Sequence, residues 1–170
     1  TCALPIYQVG FFDTCGLSAP VVFRPLVEKA DLVLFDLKLL DSADHARWTG
    51  VDNAQILSNL ALVREVVAAS GGQKHLWIRT PLIPGATTAE GNLKAIGAHL
   101  AQTFDGQVER WELCAFNNLC RDKYERLGMQ WEFASTELLD QAELDQYGTW
   151  AKSSGFDPAK IFVTGAAKAA

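Results

Sequence analysis

Short apolar runs alternate with helical patterns along most of the chain, and this alternation restricts the fold more than any other feature. Runs at Val9–Thr14, Leu32–Lys38, His75–Thr80, Val108–Cys114 and Ile161–Thr164 read as strands. Between them, Pro20 opens a short helix through Val27. Asn53 is placed to cap a helix carrying Ile56, Leu57, Leu60, Val63 and Val67 at three- and four-residue spacing, which Gly71-Gly72 stops. Pro81 to Gly85 should end the third strand, because proline suits neither a helix interior nor a central strand. Thr87 and Glu90 have the spacing of a capping box for a helix with Leu93, Ile96 and Leu100 on one face. Further helices are expected near Asp122–Leu127 and from about Thr136 to Trp150.

Strand followed by helix, repeated, predicts parallel βαβ units with right-handed crossovers. Four such units are too few to close an eight-stranded barrel, which takes ~250 residues. The expected fold class is therefore α/β with parallel strands, either an open sheet or a portion of a curved, incomplete barrel. No repeat, low-complexity tract or linker divides the chain, so residues 1–170 read as one domain.

Composition excludes several functions. A net charge of −5, with Lys and Arg scattered, argues against a nucleic-acid surface. No stretch approaches the ~20 consecutive apolar residues of a membrane span, and no secretory leader is evident, so the expected address is cytoplasmic, with no membrane partner. Cys2, Cys15, Cys114 and Cys120 lack Cys-x-x-Cys spacing, which favours reduced thiols over disulfides or a zinc site. Cys15, Cys114 and Cys120 do not match ferredoxin spacing either, and Cys114 falls inside an apolar strand where a buried, inert thiol is expected. Trp77, Trp111, Trp131 and Trp150 read as core or helix-to-sheet packing.

The run from Ala30 to Lys38 is apolar until its end, where Asp36 and Lys38 project to the same side. Three other strands also end in polar groups: Asp13 and Thr14 on the first, Arg79 on the third and Asn117 just past the fourth. In parallel α/β folds the carboxyl ends of strands carry the chemistry. Singly each has a structural explanation: Asp13 can cap the turn at Gly16, Arg79 can pair with a surface carboxylate, and Asn117-Asn118 can shape a loop. Together they suit a zwitterionic ligand, with cations for its carboxylate and Asp36 for its ammonium.

Five segments carry a family resemblance: Asp13-Thr14-Cys15-Gly16, Asp31 to Lys38, Thr49-Gly50-Val51-Asp52-Asn53, Trp77 to Gly85 and Lys123 to Gly128. In order and spacing they resemble the second half of the glycyl-radical-enzyme activating proteins, the radical S-adenosylmethionine enzymes related to pyruvate formate-lyase activase. The resemblance covers about Val9 to Gly128 and implies the C-terminal portion of a partial (β/α)6 TIM-like barrel. It implies an oxidoreductase in which a [4Fe–4S] cluster reductively cleaves S-adenosylmethionine so that a hydrogen is abstracted from a glycine of the partner. The implied partners are a glycyl radical enzyme and an electron donor such as flavodoxin or ferredoxin. Carried over by residue, the pattern assigns Asp36, Lys38, Arg79 and Asn117 to S-adenosylmethionine, Asn117 standing where close relatives have a histidine. It assigns Asp13, Thr14 and Asp36 to a monovalent cation.

The family's Cys-x-x-x-Cys-x-x-Cys loop and its Gly-Gly-Glu segment occur nowhere in the sequence. The cluster then has no anchor, no residue of this chain is expected to be catalytic on its own, and Cys2 is not a cluster ligand. Thr1 to Ile6 resembles a translated sequencing adapter joined to a truncated gene, with a genuine short N-terminal strand as the alternative. Two other functions stay open at this point. One is a Schiff-base aldolase using Lys38, although an adjacent Asp36 favours the charged, non-nucleophilic amine. The other is a non-catalytic, partner-binding half-barrel.

Overall fold

In a computed structural model, which describes residues 10–104 and 106–168, five strands form one parallel sheet in the order β1-β2-β3-β4-β5. They are β1 (Phe11–Thr14), β2 (Leu32–Asp36), β3 (His75–Leu82), β4 (Val108–Ala115) and β5 (Ile161–Thr164). The helices are α1 (Pro20–Lys29), α2 (Ser42–Thr49), α3 (Ala54–Ala69), α4 (Glu90–Thr103), α5 (Cys120–Arg126) and α6 (Gln141–Lys152). The readings of Thr1 to Ile6, of Cys2 and of Val9 as the start of the first strand lie outside the described residues.

The sheet order decides between the two expected forms. A doubly wound sheet reverses its order at a switch point, whereas consecutive order with one crossover hand places every helix on the same face. The parallel strands follow the chain without reversal, as in an incomplete barrel. Val33 and Phe35 of β2, Leu76, Ile78 and Leu82 of β3, and Trp111 and Leu113 of β4 are buried in one core with Leu60 and Val63 of α3 and Leu93, Ile96 and Leu100 of α4. Trp111 is fully buried, and its indole Nε1 donates to Thr80 Oγ1 at 3.0 Å. Gly97 lets α4 close on this group: a Cβ there would stand 1.8 Å from Ser154 Oγ and 2.9 Å from the Trp111 ring.

Several local expectations change. The helix α2 was not anticipated, because its eight residues bury only His45 and so present no apolar stripe. Its ends are nevertheless marked: the Asp41 carboxylate accepts from the amides of Ala43 and Asp44, and Gly50 closes it at φ 84°. Asn53 occupies the N-cap position of α3 without capping it; the Ala54 amide is held by Asp52 Oδ1 at 2.9 Å instead.

The strand β3 runs on through Pro81 and Leu82, paired with Cys114 and Ala115. Proline is tolerated because Arg79 O accepts from Leu37 N on the β2 side. Alternation points Pro81 to that same side, beyond the last paired residue of β2, so no ladder bond is lost. Thr87 and Glu90 form no capping box: Ala89 is the N-cap of α4, and Thr87 Oγ1 instead serves Pro81 O and the Ile83 amide. The last helix, α6, starts at Gln141 rather than near Thr136, under a reciprocal box between Asp140 and Glu143. Asp140→Ala should lower stability by about 1 kcal/mol, the usual worth of an N-cap, read as a reduced urea midpoint at unchanged slope.

Candidate functional site

The sheet face opposite the helices carries the charged strand ends. Register pairs Asp36 with Arg79 and Arg79 with Glu112, while Asp13 pairs with Leu34, two residues before Asp36. A period of two therefore puts Asp13, Asp36, Arg79 and Glu112 on one face. Their side chains meet. Asp36 Oδ1 accepts from Arg79 Nε at 3.0 Å and from Nη2 at 2.8 Å, and Nη2 also pairs with Asp13. Lys38 Nζ lies 3.4 Å from Asp36 Oδ2.

Burial works against the Arg79 charge, yet the carboxylates of Asp36 and Asp13 outweigh it and hold the guanidinium pKa above its ordinary value. Two acids and two cations thus form one interlinked group at the carboxyl ends of three adjacent strands. Lys38 meets Asp36 as an ion pair, so the amine that a Schiff-base mechanism would need is engaged by a carboxylate.

The turn after β1 is built for close approach. Gly16 has φ 75°, and a Cβ there would stand 2.4 Å from the buried Phe35 ring, so only glycine fits. Thr14 Oγ1 accepts from the Gly16 amide at 3.0 Å, and Thr14 has the opposite strand parity to Asp13. Its hydroxyl is therefore turned into the loop, away from Asp36. Among the described residues no group of three or more His, Cys, Asp or Glu side chains could hold a metal ion. Cys15, Cys114 and Cys120 are free thiols on separate segments, and burial pushes the Cys114 thiol up. An iron–sulfur cluster therefore does not fit the described residues.

Lys38 also lines a cavity of about 460 Å³ at the same end of the sheet. Asn117, Trp48, Phe116, Trp131 and Phe133 are in its wall. Asn117 thus reaches the cavity at Lys38, while its Oδ1 accepts from the Leu119 amide, so it shapes the loop as well. Phe116 and Trp131 stack with centroids 6.0 Å apart, and Trp48 lies 6.0 Å from Phe133. Trp131 packs against the core and also walls the cavity, and Trp77 lies under the Arg110 guanidinium at 4.8 Å on the helix-free face. Trp111 is core, as expected, and Trp150 packs on Tyr147 at 5.5 Å. Trp48, Phe116 and Phe133 went unnoticed because they come from separate segments and show no common periodicity.

The choline trimethylamine-lyase activating enzyme of Oleidesulfovibrio alaskensis is 30% identical over 135 residues, 79% of this chain and 42% of that enzyme. The chain is a relative of glycyl-radical-enzyme activating enzymes. It spans less than half the length of that activating enzyme. A domain of pyruvate-formate lyase-activating enzyme from Bacteroides vulgatus shares the fold at a TM-score of 0.63, with 24% identity over 91% of this chain and 80% of that one. SuiB of Streptococcus suis, solved with S-adenosylmethionine bound, shares the fold at 0.60, with 11% identity over 91% of this chain and 31% of that one. No family model matches the chain. Among the described residues no helix is long and apolar enough to cross a membrane.

Proposed function

We propose that this chain is the cofactor-binding part of a radical S-adenosylmethionine enzyme that activates a glycyl radical enzyme. The observation that carries the reading is the convergence of Asp36, Lys38 and Arg79 at the ends of neighbouring parallel strands, beside an aromatic-walled cavity. A zwitterionic methionyl group needs both signs of charge within a few ångströms, and this cluster offers both. Asp36 would take the ammonium, and Lys38 and Arg79 the carboxylate. Asn117 and the cavity wall beside Lys38 suit the planar, polar-edged remainder of the ligand.

Where a reduced iron–sulfur cluster is supplied from outside the described residues, S-adenosylmethionine would supply the one-electron chemistry that removes hydrogen from a partner glycine. This chain contributes binding and orientation. Asp13, Thr14 and Asp36 are the proposed holders of a monovalent cation, the two carboxylates in competition with the Arg79 guanidinium that spans them here. The proposed partners are a glycyl radical enzyme and a flavodoxin- or ferredoxin-type electron donor, and the proposed location is the cytoplasm.

The test is anaerobic reconstitution of this chain beside a version extended at its N-terminus by a Cys-x-x-x-Cys-x-x-Cys segment. The extended protein should release 5′-deoxyadenosine and produce a glycyl radical signal in a neighbouring glycyl radical enzyme, and the 170-residue chain should do neither. An extended protein that binds the cluster and still leaves both signals absent would refute the reading.

A further inference from the structure

The segment 37–40 carries Lys38 and belongs to neither strand nor helix. Backbone groups that leave a ladder near a core must find other partners, and here each carbonyl from 37 to 40 is taken by a side chain. Thr80 Oγ1 donates to Leu37 O at 2.8 Å, and Asn92 Nδ2 donates to Lys38 O at 3.0 Å. Asn53 Nδ2 donates to Leu39 O at 3.2 Å and to Leu40 O at 2.8 Å. Asn92 Oδ1 accepts from the Leu40 amide at 3.2 Å, and its Nδ2 also reaches Thr87 O at 3.0 Å.

Asn53 is 3% exposed, and Leu37 and Leu39 are buried on either side of Lys38. Thr80 is itself held by the Trp111 indole. The two asparagines stand on different helices, Asn53 at the start of α3 and Asn92 in the first turn of α4. Between them they fix a loop that the sheet holds only at the Leu37 amide.

We infer that Asn53 and Asn92 are positioning residues: their carboxamides clamp the backbone of 37–40 so that Lys38 is held against Asp36 at the ligand site. This rests on the proposed role of Lys38 and gives the Asp52-Asn53 end of the third resemblance segment a task other than helix capping. A carboxamide is required because each site needs two N–H donors from one small planar group. An aspartate of the same size would turn those donors into a charge facing carbonyl oxygens.

The experiment uses the whole chain with Asn53→Asp, Asn92→Asp and, as an uncharged second variant that removes the group, Asn92→Ala. Leu100→Ala, buried on α4, is the control for general destabilisation. Amide exchange is read at 37–40 and at the core amides of β3 and β4, which report local and global opening respectively. The clamp variants should raise exchange at 37–40 by about tenfold relative to the core, the local opening expected when these bonds are lost. The control should speed the core amides at least as much as those at 37–40. Exchange rising at the core as much as at 37–40 in the clamp variants, as in the control, would overturn the inference.

S-adenosylmethionine titration followed by NMR gives the second readout, with a loss of affinity of about tenfold in the clamp variants. A parent chain with no response to the ligand would sink the assignment of Lys38 while the exchange ratio still judges the clamp. Clamp variants that open the loop yet bind as the parent does would show that the clamp does not position the site.

Discussion

Trp111→Ala should cost about 3–5 kcal/mol of stability, the range for removing a large buried aromatic side chain. The side chain is fully enclosed, its ring meets Phe156 edge-on at 6.0 Å, and α4 approaches it at Gly97. The cavity left behind cannot collapse easily, because the surrounding groups sit on strand and helix backbones. A second effect follows through Thr80, whose hydroxyl accepts from Trp111 and donates to Leu37 O at the root of the Lys38 segment. Trp111→Phe should cost less, since it retains most of the volume while removing the indole donor to Thr80. Urea unfolding measures both, and a loss below about 1 kcal/mol for Trp111→Ala would mean that the core is packed differently.

Asp36→Ala and Lys38→Ala should each weaken S-adenosylmethionine binding by about 1.5–3 kcal/mol, the worth of a hydrogen bond to a charged group. That corresponds to roughly a ten- to hundredfold loss in affinity. The two differ in what they leave behind. Without Asp36, Arg79 retains only the exposed Asp13 and Lys38 loses its partner, so the site turns net positive. Without Lys38, the Asp36–Arg79 pair survives. Asp36→Ala should therefore also loosen Arg79, measurable as faster exchange of its guanidinium protons, while Lys38→Ala should not. Unchanged affinity in both variants would remove the cluster from the binding site.

Much of this was legible in the sequence. The strands stood out because apolar runs with polar ends have few other uses, and the helix-covered and open faces of β3 already alternate in the order of its residues. Asp13, Asp36, Lys38 and Arg79 could be grouped from strand ends alone, since parallel strands in chain order bring their carboxyl ends together. What stayed hidden depends on tertiary partners. The helix α2 lacks an apolar stripe, and Pro81 reads as a strand breaker until the end of β2 is seen to leave its face unpaired. Thr87 and Asn53 have the residue types of helix caps, but their side chains are taken by backbone groups of neighbouring loops.

An isotope-labelled sample of this chain titrated with S-adenosylmethionine to millimolar concentration, each amide followed by NMR, tests the central claim most directly. Shifts concentrated at 13–16, 36–40, 79–80 and 115–118, and abolished by Asp36→Ala, are the predicted result. Shifts centred on other residues, or a response that Asp36→Ala leaves intact, would contradict the assignment of the strand-end cluster as the cofactor site.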